Sequence, residues 1–289
     1  MRKLALRVFD RQRPQQYCLT TGGRTLIEHS VSQVASVVSS QRIITVIGNG
    51  HKAYLHASRL PGRVLEEPAN RGTGASVFLP LVYVLAEEPD ATVLVLPCDQ
   101  FATQDENLVP HLERAGTLAE LMPGRLVVLT AVPSRPESEF GWVEAGPVLD
   151  KFAGFGARSV KKFYEQPGQQ DAESFFRRGF FWNTMIMAVK ARTLWTIGQE
   201  LFPGMMKRFQ NLLDLLKLVH SGNASPDLET LALRDVYRGL ETVNFARRVF
   251  QQTPEWVTLL PITSLTWRDW GHSAEADDRE QPSTHVRPA

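Results

Sequence analysis

The chain has 289 residues, enough for one large α/β domain, or a domain with a small appendage, around a sizeable core. Hydrophobic residues make up 43% and charged residues 22%, with 32 basic against 31 acidic side chains, which excludes a disordered chain and gives no pull toward a polyanion. Cys18 and Cys98 lack the spacing of a metal knuckle or disulfide framework, MRKLALRVFDRQRP has no apolar signal region, and no stretch is apolar for long enough to cross a bilayer, so the sequence predicts a cytoplasmic protein with reduced thiols.

Helical spacing of Leu26, Ile27, Val31, Val34, Ala35 and Val38 predicts a first helix over Arg24 to Val38. A β-branched run from Ile43 to Ile47 then reads as a strand ending at the turn Gly48-Asn49-Gly50. The rhythm continues with a helix near Ser76 to Ala86, a strand Thr92 to Leu96 ending in Pro97-Cys98-Asp99, a helix near Asn107 to Leu121 and a strand Leu126 to Ala131. Extended pieces follow at Gly141 to Glu144, Ser159 to Glu165 and Phe180 to Val189, then a helical stretch from Ala191 to about Val219. A loop Ser221 to Pro226, a short helix Leu228 to Tyr237 and a late strand Trp256 to Leu260 complete the pattern, and the polar segment 273–289 reads as a disordered tail. Alternating strands and helices predict an α/β domain over residues 1–272 with a mixed, mostly parallel sheet.

Asp99, a carboxylate just past a buried strand, stands on the edge where open α/β sheets bind ligands, although an Asp there also caps helices and forms turns. Its neighbours carry more. Glu67-Pro68-Ala69-Asn70-Arg71-Gly72-Thr73-Gly74-Ala75, Leu96-Pro97-Cys98-Asp99-Gln100, Glu139-Phe140-Gly141-Trp142-Val143, Phe163-Tyr164-Glu165-Gln166-Pro167, Phe181-Trp182-Asn183-Thr184 and Thr266-Trp267-Arg268-Asp269-Trp270-Gly271 occur in that order. From about Arg7 to Gly271 the chain resembles the sugar-1-phosphate nucleotidyltransferases, the mannose-1-phosphate guanylyltransferases above all.

The resemblance implies a Rossmann-like nucleotidyltransferase fold, with a nucleotide half at about 1–135 and a sugar half at about 136–272. It implies transfer from a nucleoside triphosphate, GTP favoured, to a hexose 1-phosphate, with release of pyrophosphate. Asp99 and Asp269 would hold Mg²⁺, a hard ion suited to carboxylates and phosphates. Glu67, Asn70, Gly72, Thr73 and Gly74 would line the nucleotide, and Gly141, Glu165 and Asn183 the sugar. Read alone, the first group is a glycine-rich helix entry, Asn183 a satisfied strand amide and Asp269 a surface turn residue. No basic stripe points to nucleic acid and nothing to a membrane; a homo-oligomer or an active homologue remains open as partner.

Two departures stand out. The family's opening strand and glycine-rich phosphate loop have no counterpart, as if the reading frame starts upstream of Met1 or has lost its beginning. In the fold that strand is central, so β-neighbours should be left with unpaired edges that Leu4 to Phe9 cannot fully replace, and the chain should be marginally stable. The family's two phosphate-contacting lysines are also Gln15 and Gln166, which cannot neutralise developing charge. Arg13, Lys161 and Lys162 are the nearby cations; strand geometry would place Lys162 on the same face as Gln166 but about 13 Å away. A catalytically impaired paralogue that binds a nucleotide or nucleotide sugar is therefore the alternative to an active enzyme.

Overall fold

A computed structural model describes residues 14–18, 23–55, 60–98, 100–102, 108–263 and 267–269. The expectations placed on Leu4 to Phe9, Arg13, Asp99 and the tail lie outside these residues. Ten strands are described: β1 Ile44–Ile47, β2 Arg63–Glu66, β3 Thr92–Val95, β4 Gln100–Ala102, β5 Leu126–Ala131, β6 Trp142–Val148, β7 Arg158–Tyr164, β8 Phe181–Lys190, β9 Val257–Ile262 and β10 Trp267–Asp269. The α-helices are α1 Leu26–Val34, α2 Gly72–Glu87, α3 Leu108–Leu121, α4 Gln169–Arg177, α5 Ala191–Leu201, α6 Pro203–His220 and α7 Leu228–Arg238. Among the described residues no helix is long and apolar enough to cross a membrane.

The main sheet runs β3-β8-β5-β9-β7-β6. It is mixed, as expected, but the expected predominance of parallel pairs needs correcting. Within this sheet only β5–β9 is parallel, because the ten-residue β8 pairs antiparallel with β3, β5 and β6. Strand β5 shows how both faces are covered. Leu126 and Val128 face a core shared with α2, α5 and α6, whereas Val127, Leu129 and Ala131 face a second core under α3 and α4. That alternation is the two-residue period of a pleated strand buried on both sides.

Local chemistry sets the helix ends. Thr25 and Glu28 form a capping box at α1, with Thr25 Oγ1 accepting from the Glu28 N–H and Glu28 Oε2 from the Thr25 N–H at 2.7 Å. The helical stretch predicted from Ala191 to about Val219 is two helices. Phe202 leaves helical geometry and Pro203 opens α6, a first-turn position where its missing N–H costs nothing. The amphipathic α4 and the short β2 were not foreseen.

Strands β1 and β2 form a separate parallel pair. Among the described residues no strand pairs with the second edge of β1 or of β3. The carboxyl ends of these two strands nonetheless approach one another, since Ile47 of β1 clusters with Tyr17 and Ile27 and Cys98, just past β3, packs against that cluster. All four residues of β3, three of them apolar, are partly exposed, whereas all six of β5 are buried. Strands whose side chains are partly exposed open more readily than a strand buried on both faces. Hydrogen exchange should therefore release the amides of β1 and β3 at least about a hundredfold faster than those of β5; equal protection across the three strands would contradict this ranking.

Candidate functional site

The three positions expected to line the sugar meet. Strands β6 and β8 pair Trp142 with Trp182, and the ladder continues as the Asn183 N–H donates to the Gly141 carbonyl at 2.8 Å. The buried rings of Phe140, Trp142 and Trp182 form the floor, with centroids 4.7 Å apart for Phe140–Trp182 and 6.0 Å for Trp142–Trp182. A β-carbon on Gly141 would lie 2.9 Å from Glu165 Oε2, 3.3 Å from Asn183 Cβ and 3.5 Å from Asn183 Nδ2. An acceptor and a donor thus converge over a residue that has no side chain.

The backbone around this point is strained. Among the described residues, Gln166 (φ 49°) and Met185 (φ 59°) are the two non-glycine residues in the left-handed region, one next to Glu165 and the other two residues past Asn183. Such conformations cost about 1–3 kcal/mol and cluster at functional sites. At Met185 the strain has identifiable support: its N–H donates to Asn183 Oδ1 at 3.0 Å, and Thr184 Oγ1 donates to the Leu129 carbonyl at 2.7 Å while accepting from the Ile186 N–H. With Asn183 Oδ1 engaged there, its Nδ2 is left for Gly141 and whatever sits above it. Glu165 is half-buried, and burial raises its pKa, while Asn244 and Arg247 pull it down.

The segment before α2, expected to line the nucleotide, is sewn to the distant residues 243–245. Asn70 Oδ1 accepts from the Gly72 N–H at 2.9 Å, an Asx turn that starts the helix. Gly72 has φ 77°, and a β-carbon there would lie 2.4 Å from the Val243 carbonyl oxygen, so only glycine fits. The Gly74 N–H donates to that carbonyl at 3.0 Å, and Thr73 Oγ1 accepts from the Phe245 N–H at 2.8 Å. Glu67 is buried beneath, accepting from Tyr237 Oη at 2.8 Å and from Ser76 Oγ at 3.0 Å. Burial raises its pKa, and the two donors partly offset this. Glu67 therefore anchors the loop from below, and the room beside Gly72 is filled by Val243.

The two glutamines differ. Gln15 is buried, and neither carboxamide atom has a hydrogen-bond partner among the described residues. Each such orphan costs about 1–3 kcal/mol until something satisfies it. Gln166 is exposed, and because β7 ends at Tyr164 the strand periodicity that would relate it to Lys162 does not reach it. Lys162 instead lies over the Tyr164 ring at 4.9 Å, and Lys161 pairs loosely with Glu144 at 3.9 Å. For the metal pair, β10 and β4 set Asp269 opposite Gln100, the residue following Asp99 in sequence. Among the described residues no cluster of three or more metal-ligating side chains occurs. A cleft of about 820 Å³, lined by Arg208, Gly239 and Arg248 among others, reaches the site residues only through Val243.

Residues 243–247 are what the sequence reading missed. They fall between Tyr237 and Trp256, where no strand-length apolar run or helical period marks them.

Comparison with known proteins follows the same lines. The Nucleotidyl transferase family model matches residues 7–274. Mannose-1-phosphate guanylyltransferase of Escherichia coli is 24% identical over 179 residues, 59% of this chain and 38% of that protein. Mannose-1-phosphate guanylyltransferase RfbM of Salmonella typhimurium is 24% identical over 272 residues, 89% of this chain and 52% of that one. The chain thus spans about half, or less, of the length of these curated relatives. A solved structure described as mannose-1-phosphate geranyltransferase from Thermus thermophilus superposes with a TM-score of 0.76 at 26% identity, covering 93% of this chain and 73% of that one. One described as mannose-6-phosphate isomerase from Helicobacter pylori shares the fold at 18% identity and a TM-score of 0.67, covering 89% of this chain and 94% of its own.

Replacing Gly141 with Ala pushes a methyl group against Glu165 Oε2. We expect the Glu165 carboxylate to be displaced, read as amide chemical-shift changes at Glu165 and Asn183 by NMR, with stability reduced by no more than about 1 kcal/mol. Unchanged shifts in a folded variant would contradict this close approach.

Proposed function

The chain belongs to the nucleotidyl transferase family, and on that premise we propose that it joins a nucleoside triphosphate to a hexose 1-phosphate with release of pyrophosphate, GTP and mannose 1-phosphate being the favoured pair. A phosphate oxygen of the sugar phosphate attacks the α-phosphorus, the bond from that phosphorus to the bridging oxygen of the β-phosphate breaks, and pyrophosphate leaves with the bonding electrons. Catalysis of this kind rests on in-line positioning and on neutralising charge over the phosphate oxygens, with little covalent work for the protein.

The observation that carries the reading is the convergence over Gly141. A sugar hydroxyl is both donor and acceptor, and there it meets both complements: it accepts from Asn183 Nδ2 and donates to Glu165 Oε2. The Asn70–Gly74 segment supplies the nucleotide side, held by Glu67 from below and by residues 243–245 from the flank. Asp99 and Asp269 are the residues that would hold Mg²⁺, which the register of β10 with β4 supports by pairing Asp269 with the neighbour of Asp99. Bound there, Mg²⁺ would supply charge neutralisation at the phosphates.

Gln15 gives a second reading its specific support. A carboxamide that is buried and has no partner among the described residues can donate to a phosphate oxygen but adds no positive charge, so a protein with Gln15 in the lysine's place can hold a nucleotide sugar without turning substrates over. Mg²⁺-dependent pyrophosphate release, assayed with GTP and mannose 1-phosphate against ATP and glucose 1-phosphate, separates the two. We expect measurable turnover, rising about 10²-fold in Gln15→Lys and in Gln166→Lys. Binding of GDP-mannose with no turnover selects the second reading, and neither binding nor turnover overturns both.

A further inference from the structure

We infer that Asn244 is a positioning residue for the sugar-side carboxylate, holding Glu165 beside Gly141 and tying its place to the loop that opens α2. The inference rests on the sugar-side reading of Glu165. Asn244 Nδ2 donates to Glu165 Oε1 at 3.1 Å, which leaves Oε2 as the oxygen facing Gly141. The carboxamide cannot flip without loss. Its Oδ1 accepts from the Arg247 N–H at 2.9 Å, so a reversed amide would set N–H against N–H and oxygen against carboxylate. The Glu165 N–H also reaches Gln251 Oε1 at 3.4 Å, a weaker tie from the far end of the same turn.

Backbone bonds on either side fix Asn244 itself. The Val243 N–H donates to the Arg71 carbonyl at 3.1 Å and its carbonyl accepts from the Gly74 N–H at 3.0 Å, while the Phe245 N–H donates to Thr73 Oγ1 at 2.8 Å. The Phe245 ring is fully buried, with centroids 5.4 Å from Phe250 and 5.9 Å from Phe78. The turn that follows, Ala246–Phe250, is π-helical, a rare form that is frequent at functional sites. One strap of three residues therefore touches the nucleotide loop with its backbone and the sugar carboxylate with its single polar side chain. In the free protein Asn244 is exposed, and a ligand seated over Gly141 takes its bond to Glu165 out of water, where the bond strengthens.

Asn244→Asp removes the donor and keeps the acceptor, because the new carboxylate still accepts from the Arg247 N–H but can no longer donate to Glu165. Two readouts are taken on the full chain: the carboxyl titration of Glu165 by NMR, and calorimetric affinities for GDP-mannose and GTP at acidic and at mildly alkaline pH. Arg247 is the cation acting on Glu165, and it is unchanged in the variant. Losing the donor and adding a like charge favours the protonated form, so the Glu165 midpoint rises. Since the hydroxyl donates to ionised Glu165, the acid-side loss of GDP-mannose affinity moves to higher pH. We expect GDP-mannose binding to weaken about tenfold or more even at the alkaline pH, and GTP binding, held through the backbone of Val243 and Phe245, to change less than about twofold. An unmoved Glu165 midpoint with unchanged GDP-mannose affinity overturns the inference. If the wild-type chain binds no GDP-mannose, the sugar-side reading fails, and the Glu165 titration alone decides whether Asn244 positions it. Should Asn244→Asp not fold, Asn244→Ser, which keeps a small polar group, is read in the same two ways.

Discussion

The hydroxyl of Thr184 is the small constraint from which the site follows. It is fully buried in β8, donates to the Leu129 carbonyl of β5 and accepts from the Ile186 N–H. Across this point β5 advances from Val128 to Thr130 while β8 passes from Met187 to Asn183, so β8 carries two more residues than its partner. The bulge forces Met185 into the left-handed region and turns the Asn183 side chain back to cap the Met185 N–H. From there the ladder to β6 fixes Gly141 beside Asn183, and Glu165, at the end of β7, closes the third side. A bulge that re-aims a side chain is a familiar route to a binding residue.

The two halves are joined by side-chain chemistry as well as by the sheet. Glu67, Ser76 and Tyr237 link the loop before α2 to α7, and residues 243–245 link that loop to Glu165. The polar bonds at Glu67 are buried, where an unmade hydrogen bond is costly, so they specify one arrangement of the loop. The Asn244 bond is exposed. That difference separates the buried bonds that build the loop from an exposed one that a ligand over Gly141 would cover.

Much of this was legible in the chain. β5 was predicted with its observed bounds, because six residues, apolar but for Thr130, between turn signals leave little freedom. Gly141, Glu165 and Asn183 were named together from motifs that lie far apart in sequence, and the sheet brings them into contact. Other features were hidden for physical reasons. The break at Phe202 was masked by helical spacing that continues on both sides of Pro203. Nothing local marks Met185 for the left-handed region, since methionine has no preference for it and the cause is a hydrogen bond to another strand. Asn244 lies in a stretch without period, and its role exists only once residues 71–74 and 165 are folded around it. The glycines at 72 and 74 were expected to make room for a ligand; they make room for Val243, which a sequence pattern cannot distinguish.

The most direct test of the account is an amide NMR titration of the full chain with GDP-mannose. The account predicts saturable shifts at Gly141, Glu165, Asn183 and Asn244, extending to Thr73 and Gly74. Shifts confined to the cleft around Arg208 and Gly239, or no shifts at all in a folded protein, would contradict it.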